Sequence, residues 1–229
     1  ETVQQAVDSS RDNNNDHIMI IPTDGGTARA LTTSVDLNKD RLHVVGVGAG
    51  VNNQSYGITF NGFGTTAAGT PVDTELFNVT GAGVEIARIR VLGTMGTSGG
   101  GTVSNGLLRA GTGSSGTAHD LWVHDASFEW NQTTQSELAM VTTPGTVHGA
   151  RFDNVWFGNA STGAESAGNA GLVQLPHGGK RWVFNDSTFV YNSGSVAVDQ
   201  VIRAGTGATE YAMFKNCSFI SLGTGLITS

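Results

Sequence analysis

The sequence predicts an all-β solenoid, short strands stacked in parallel from one repeat to the next, and three observations predict it. Glycine supplies 33 of 229 residues, and Asp, Glu, Lys and Arg together make up only 14 %. That is a composition of strands and turns, not of a helical bundle. One hexapeptide, apolar, any, Asp or Asn, any, any, Phe, occurs four times: Val123-His-Asp-Ala-Ser-Phe128, Phe152-Asp-Asn-Val-Trp-Phe157, Phe184-Asn-Asp-Ser-Thr-Phe189 and Phe214-Lys-Asn-Cys-Ser-Phe219. The closing phenylalanines stand 29, 32 and 30 residues apart, a period in the solenoid range. A second segment precedes each copy: Gly106-Leu-Leu-Arg109, Leu138-Ala-Met-Val141, Gly171-Leu-Val-Gln174 and Gln200-Val-Ile-Arg203. An antiparallel sandwich is the plainer alternative, but it has no need of one turn residue and one aromatic at a fixed offset.

Each part of the chain has a place in such a stack, read as one domain over residues 1–229. Residues 1–16 supply a cap, because a solenoid exposes its apolar bore at the ends. There Thr2 and Gln5 fit a capping box, and Val3, Ala6 and Val7 share one face of a short helix that ends before the polar run at 12–16. Residues 17–48 form the first coil, with a buried strand at 17–22, a turn at Gly25-Gly26 and a closing strand at 42–48. Residues 49–75, rich in Asn, Gly and Thr, read as a loop excursion, and 76–229 as the repeated coils. Residues 86–91 look like a fifth, degenerate hexapeptide with Arg88 at the Asp/Asn position.

The hexapeptide reads physically as a corner. Asp125, Asn154, Asp186 and Asn216 are the residue types that best tolerate the left-handed backbone needed to turn one strand into the next. Period-two alternation then points Ala126, Val155, Ser187 and Cys217 inward, with the four phenylalanines inward again. Ser127, Trp156, Thr188 and Ser218 are expected to face out. Stacking at about 4.8 Å makes an Asn/Asp ladder outside and a phenylalanine file inside.

Charge narrows the function. Twelve basic against nineteen acidic residues give a net charge of -7, with lysine only at Lys39, Lys180 and Lys215, so binding to nucleic acid or to anionic membranes is not expected. No apolar run approaches the roughly 20 residues of a membrane span. The lone Cys217 excludes an intrachain disulfide framework. Beginning at Glu1, the sequence reads as a processed protein or an excised piece.

The Val-Gln-Gln-Ala-Val helix, the Ile-Ile-Pro strand, the segment Lys39-Asp-Arg-Leu-His-Val-Val-Gly-Val-Gly48 and the Phe-Lys-Asn-Cys-Ser-Phe type repeats resemble the right-handed parallel β-helix of the pectin-lyase-like superfamily. The resemblance covers most of residues 1–48 and 76–222. It implies a right-handed parallel β-helix with a short N-terminal capping helix, and it implies relatives among polysaccharide lyases and hydrolases, phage tailspikes and other virion proteins, and bacterial adhesins. The tail from Gly223 carries no visible cap, so a partner chain or further sequence is expected over that edge.

Enzymes of that superfamily resemble one another in clustered carboxylates on one face. This chain has no Asp-Asp pair and no Gly-His-Gly, and Arg88-Ile-Arg90 is a distant echo of the hydrolases' Arg-Ile-Lys. The best constellation is Asp120, Asp125 and Glu129 with Asp153 and Arg151, for which ladder and outward strand positions give a sufficient structural account. The histidines at 17, 43, 119, 124, 148 and 177 show no metal-ligand spacing, and the glycine-rich stretches at 93–101 and 111–116 hold no phosphate-binding Gly-Lys-Ser/Thr. No catalytic residue, cofactor or metal is therefore expected. Trp122 and Trp156 fall on outward positions of neighbouring coils and are the candidates for a partner or glycan contact. Trp182 points inward. The resulting expectation is a non-catalytic virion structural protein, a capsid decoration, spike or fibre module of a phage or similar virus. It would lie on the virion surface or outside the cell, as a homo-oligomer and in contact with other virion proteins, with a host glycan as a further candidate ligand. The alternatives are a secreted lyase or glycoside hydrolase acting on acidic glycans, and a bacterial surface adhesin.

Overall fold

The computed structural model describes residues 2–21, 29–30, 34–47, 58–61, 76–93, 107–111, 118–130, 141–142, 147–159, 173–175, 180–191, 201–204 and 211–221. Within them the chain is predominantly β, in parallel sheets, with one short N-terminal helix. The helix, Val3–Ser9, begins as the sequence predicts. The Thr2 hydroxyl accepts from Gln5 N at 3.2 Å, and Thr2 N donates to Gln5 Oε1 at 2.8 Å. Val3 and Val7 are buried in the core cluster, and Asp36 N donates to Gln4 Oε1 at 2.7 Å, which fixes the helix on the strand Val35–Leu37.

Every strand pairing in the described residues is parallel, which hairpins cannot produce. One file runs in chain order through His17–Ile20, His43–Gly46, Glu85–Ala87, the first halves of Trp122–Trp130 and Arg151–Asn159, then Trp182–Asn185 and Ala212–Lys215. A second file passes from Arg29–Ala30 through Ile58–Asn61 and Ile89–Gly93 to the second halves of the same two long strands, then Thr188–Tyr191 and Ser218–Ser221. A separate sheet stacks Val35–Leu37, Phe77–Val79, Leu108–Ala110, Val141–Thr142, Val173–Leu175 and Ile202–Ala204. Each strand thus pairs with its equivalent one repeat before and one repeat after. Ile58–Asn61 corrects the expectation that 49–75 is a loop throughout. Its Ile-Thr-Phe run has the branched and aromatic side chains that suit a strand, and the rest of that segment lies outside the described residues, as do the Gly25-Gly26 turn and the tail from Gly223.

The first two files meet at the predicted corner. Asp125, Asn154, Asp186 and Asn216 have φ of 49°, 53°, 51° and 53°, and Arg88 joins them at 55°. Asn154 Nδ2 donates to Asp125 Oδ1 at 2.8 Å and Asn216 Nδ2 to Asp186 Oδ1 at 3.1 Å, so successive corners are bonded in pairs. A second corner was not visible in the sequence. Asn15, Arg41, Gly83, Asp120, Gly149 and Arg181 also have positive φ, each two residues before a position in one lateral row, His17, His43, Glu85, Trp122, Arg151 and Val183.

Inside, Phe128, Phe157, Phe189 and Phe219 lie in file with ring centroids 6.0, 4.9 and 4.9 Å apart, and Phe152, Phe184 and Phe214 form a parallel file at 4.9 Å spacings. Burying one such ring stabilises by about 2–3 kcal/mol. Phe214 and Phe219, in the last described repeat, are 38 % and 45 % exposed. Ala126, Val155 and Ser187 are buried. Cys217 is half-buried, and its Sγ donates to Phe184 O at 3.4 Å much as the Ser187 hydroxyl reaches Phe152 O at 3.5 Å. Trp182 is fully buried, with its Nε1 donating to Val147 O at 3.1 Å.

The four expected outward positions after the corner differ in burial. Ser218 is exposed and Thr188 and Trp156 are half-buried, but Ser127 is buried. Ser127 lies in register between Arg90 and Trp156, two side chains long enough to cover a serine. The Trp156 ring lies over Gly158, where an added Cβ would stand 2.7 Å from Nε1.

A candidate site on the outer face before the corner

Residues just before the corner point out of the first file in two rows. One row is His17, His43, Glu85, Trp122, Arg151 and Val183, and the other includes Val45, Ala87, His124, Asp153, Asn185 and Lys215. Parallel in-register stacking turns residues far apart in sequence into lateral neighbours.

Glu85 is the centre of the site. One of its oxygens, Oε2, contacts His43 Nδ1, and Oε1 lies 2.7 Å from His124 Nε2. His17 stacks on His43 with centroids 4.2 Å apart. His124 turns its other nitrogen, Nδ1, to Asp125 Oδ2 at 3.0 Å and stacks against Trp122 at 4.2 Å. Burial by itself raises the carboxyl of Glu85, but hydrogen bonds from His124 and His43 outweigh it and hold the group below its ordinary value. Asp125 is likewise lowered, because His124 and Asn154 as donors, with Arg88 nearby, more than offset its burial.

One repeat further on, Asp153 accepts from Arg151 Nε at 2.5 Å, Trp122 Nε1 at 2.8 Å and Asn185 Nδ2 at 2.6 Å. Those bonds overcome the raising effect of burial and lower Asp153 as well. The Arg151 guanidinium stands 5.9 Å from the Trp122 ring centre. Trp122 itself is 39 % exposed and fixed by its indole N–H.

The structure therefore divides the sequence-derived constellation. Asp153 and Arg151 meet, and Asp125 joins His124 and Glu85. Glu129 lies on the far side of the corner, only 3 % exposed, gripped by Arg90 through two bonds of 2.9 and 2.7 Å. Asp120 sits at the other corner, with its Oδ1 over Gly149. Trp122 precedes the corner and Trp156 follows it. Among the described residues no three His, Cys, Asp or Glu side chains are arranged to hold a metal ion. His119 and His148 stack on each other at 4.9 Å.

Sequence reasoning missed Glu85 and His43. A usable signal existed for Glu85: it immediately precedes the degenerate hexapeptide as Trp122 and Arg151 immediately precede theirs, so alignment on the corners places the three in one row. His43 has no hexapeptide after it, and only the structure brings it in.

No protein-family model matches this chain, and no curated protein matches its sequence. Among solved structures it is similar to one described as Geobacillus virus E2 ORF18, at 9 % identity and a TM-score of 0.31, over 98 % of this chain and 57 % of that one. The chain therefore spans little more than half the length of that protein. A TM-score of that size lies below what a shared fold requires.

Proposed function

We propose that the parallel files are faces of one right-handed parallel β-helix of the pectin-lyase-like kind, and that this solenoid is a non-catalytic structural module on the surface of a virion. It would work in contact with further copies and with other virion proteins. The observation that carries the non-catalytic part is the engagement of both oxygens of Glu85, Asp125, Glu129 and Asp153 by donors within the sheet. None of the four presents an oxygen without a donor from the protein itself. These carboxylates instead join repeat to repeat, which suits a rigid surface element. The virion assignment rests on the resemblance of the corner repeats and capping helix, an argument from analogy.

A depolymerisation assay on acidic and neutral polysaccharides tests the reading. No turnover above buffer is expected from the native chain. Robust cleavage that disappears in Asp125→Ala or Asp153→Ala would replace this proposal with the secreted lyase or hydrolase reading.

One observation favours a second reading, a glycan-contacting surface of the kind an adhesin carries. Trp122 is a rigidly held, exposed aromatic ring bordered by Arg151, Asp153 and His124, and such rings stack on sugars. Retention of the chain on a glycan array that is lost with Trp122→Ala would support it.

A further inference from the structure

We propose that His124 is held as an imidazolium whose proton fastens its own repeat to that of Glu85 while also bonding the corner residue Asp125, so that the outer face before the corner acts as a proton-dependent clasp. Each ring nitrogen faces a different carboxylate, Nε2 with Glu85 Oε1 at 2.7 Å and Nδ1 with Asp125 Oδ2 at 3.0 Å. Near neutral pH both carboxylates are ionised at the ordinary values of their type, and an ionised carboxylate can only accept. Each contact therefore needs a ring N–H. A neutral imidazole has one, and the imidazolium has two.

The groups packed around the ring agree with a cation. From the strand His43–Gly46, His43 occupies the other oxygen of Glu85, with His17 of the preceding strand stacked behind it. From the repeat of Glu85 come that carboxylate and, at the corner, Arg88, whose charge favours ionised Asp125. From the ring's own strand come Asp125 and the face of Trp122, a favourable neighbour for a cation. From Arg151–Asn159 come Asp153, in register with His124, Arg151, which is paired with Asp153, and Asn154, which donates to Asp125 at 2.8 Å. Three carboxylates and two arginines thus surround His124.

When the proton leaves for solvent, one nitrogen presents a lone pair to a carboxylate. Either the bond to the Glu85 repeat or the bond to Asp125 at the corner is then lost. The contribution to stability is complete below about pH 6.5, where the imidazole of the unfolded chain also carries the proton. It disappears as the folded ring deprotonates at higher pH.

Two measurements test this. In ¹⁵N spectra of the native chain at about pH 7.5, a unit above the ordinary imidazole value, both ring nitrogens of His124 are expected to carry protons; a neutral tautomer there overturns the proposal. Between about pH 6 and pH 9 the thermal midpoint of the native chain is expected to fall by about 2–4 °C more than that of His124→Gln, the shift that one charged contact gives a chain of this length. Equal slopes overturn the proposal. Asp125→Asn keeps a residue type that the corner already uses at Asn154 and Asn216, so it serves if His124→Gln does not fold. It should release the ring proton at a lower pH than the native chain, and an unchanged titration counts against the clasp.

Discussion

Glu129 and Glu85 both project from the outer side of one parallel sheet, on opposite sides of the corner, and their surroundings differ. Glu129 is 3 % exposed and answered by the two-pronged guanidinium of Arg90, with Ser127, Gly158 and Val190 buried nearby on the same face. Glu85 is about one-sixth exposed and answered by two imidazoles, beside a tryptophan open to solvent. The difference teaches that strand parity decides only which way a side chain leaves the backbone. Whether it meets water depends on the size of its neighbours one repeat above and below. The partner then decides the response to protons, because a guanidinium keeps its charge at all accessible pH and an imidazole does not.

The most severe way to break the comparison is Glu129→Ala. It leaves Arg90 without its counter-ion on a buried face, and a loss of about 3 kcal/mol is expected, near the lower end for a buried pair because Arg90 keeps some solvent access. Glu85→Ala should cost clearly less in the same urea titration; equal losses would mean that the two faces are alike. Next comes Gly158→Ala, whose new methyl would stand 2.7 Å from Trp156 Nε1 and 2.9 Å from Val190 Cβ. Overpacking of about 1–3 kcal/mol should follow, with a change in Trp156 fluorescence. A neutral result would show that the ring over Gly158 moves aside at no cost.

Much of this architecture was legible in the sequence because the corner constrains residue type. Only a few side chains accept a φ near 50°, and the phenylalanine file needs the same bulk in every repeat, so both left a periodic trace. The capping box was legible for a similar reason, a local hydrogen-bond requirement at fixed spacing. The second corner left no such trace. It is occupied by Asn, Arg, Gly, Asp, Gly and Arg, so types that tolerate positive φ hold four of its six positions and the two arginines hide the pattern. The candidate site was half-legible: Asp125 and Asp153 lie within hexapeptides and Trp122 and Arg151 directly before them, Glu85 precedes only the degenerate copy, and His43 enters through lateral pairing across about forty residues. The burial of Ser127 was illegible from parity because it follows from the neighbours Arg90 and Trp156, which belong to other repeats.

A smaller effect sharpens the exposed side. Trp122→Ala removes one donor from Asp153, which keeps Arg151 and Asn185. About 1 kcal/mol is expected, the worth of one net hydrogen bond. A loss as large as that of Glu129→Ala would show that the exposed row carries the fold as the buried face does.

The finest test is the acid limb of Glu85. Its carboxyl is lower in the folded than in the unfolded chain, so the folded state binds fewer protons. The contribution is therefore complete above the unfolded value of about 4.3 and is lost as pH falls through the folded value. Glu85→Gln should accordingly be less stable than the native chain by about 1 kcal/mol near neutral pH, the scale of a partly exposed ion pair. The two melting curves should converge as pH falls below about 4. A gap that persists in acid would mean that Glu85 acts through its shape and neutral hydrogen bonds, so that the charge separating this face from its buried counterpart contributes nothing to holding the repeats together.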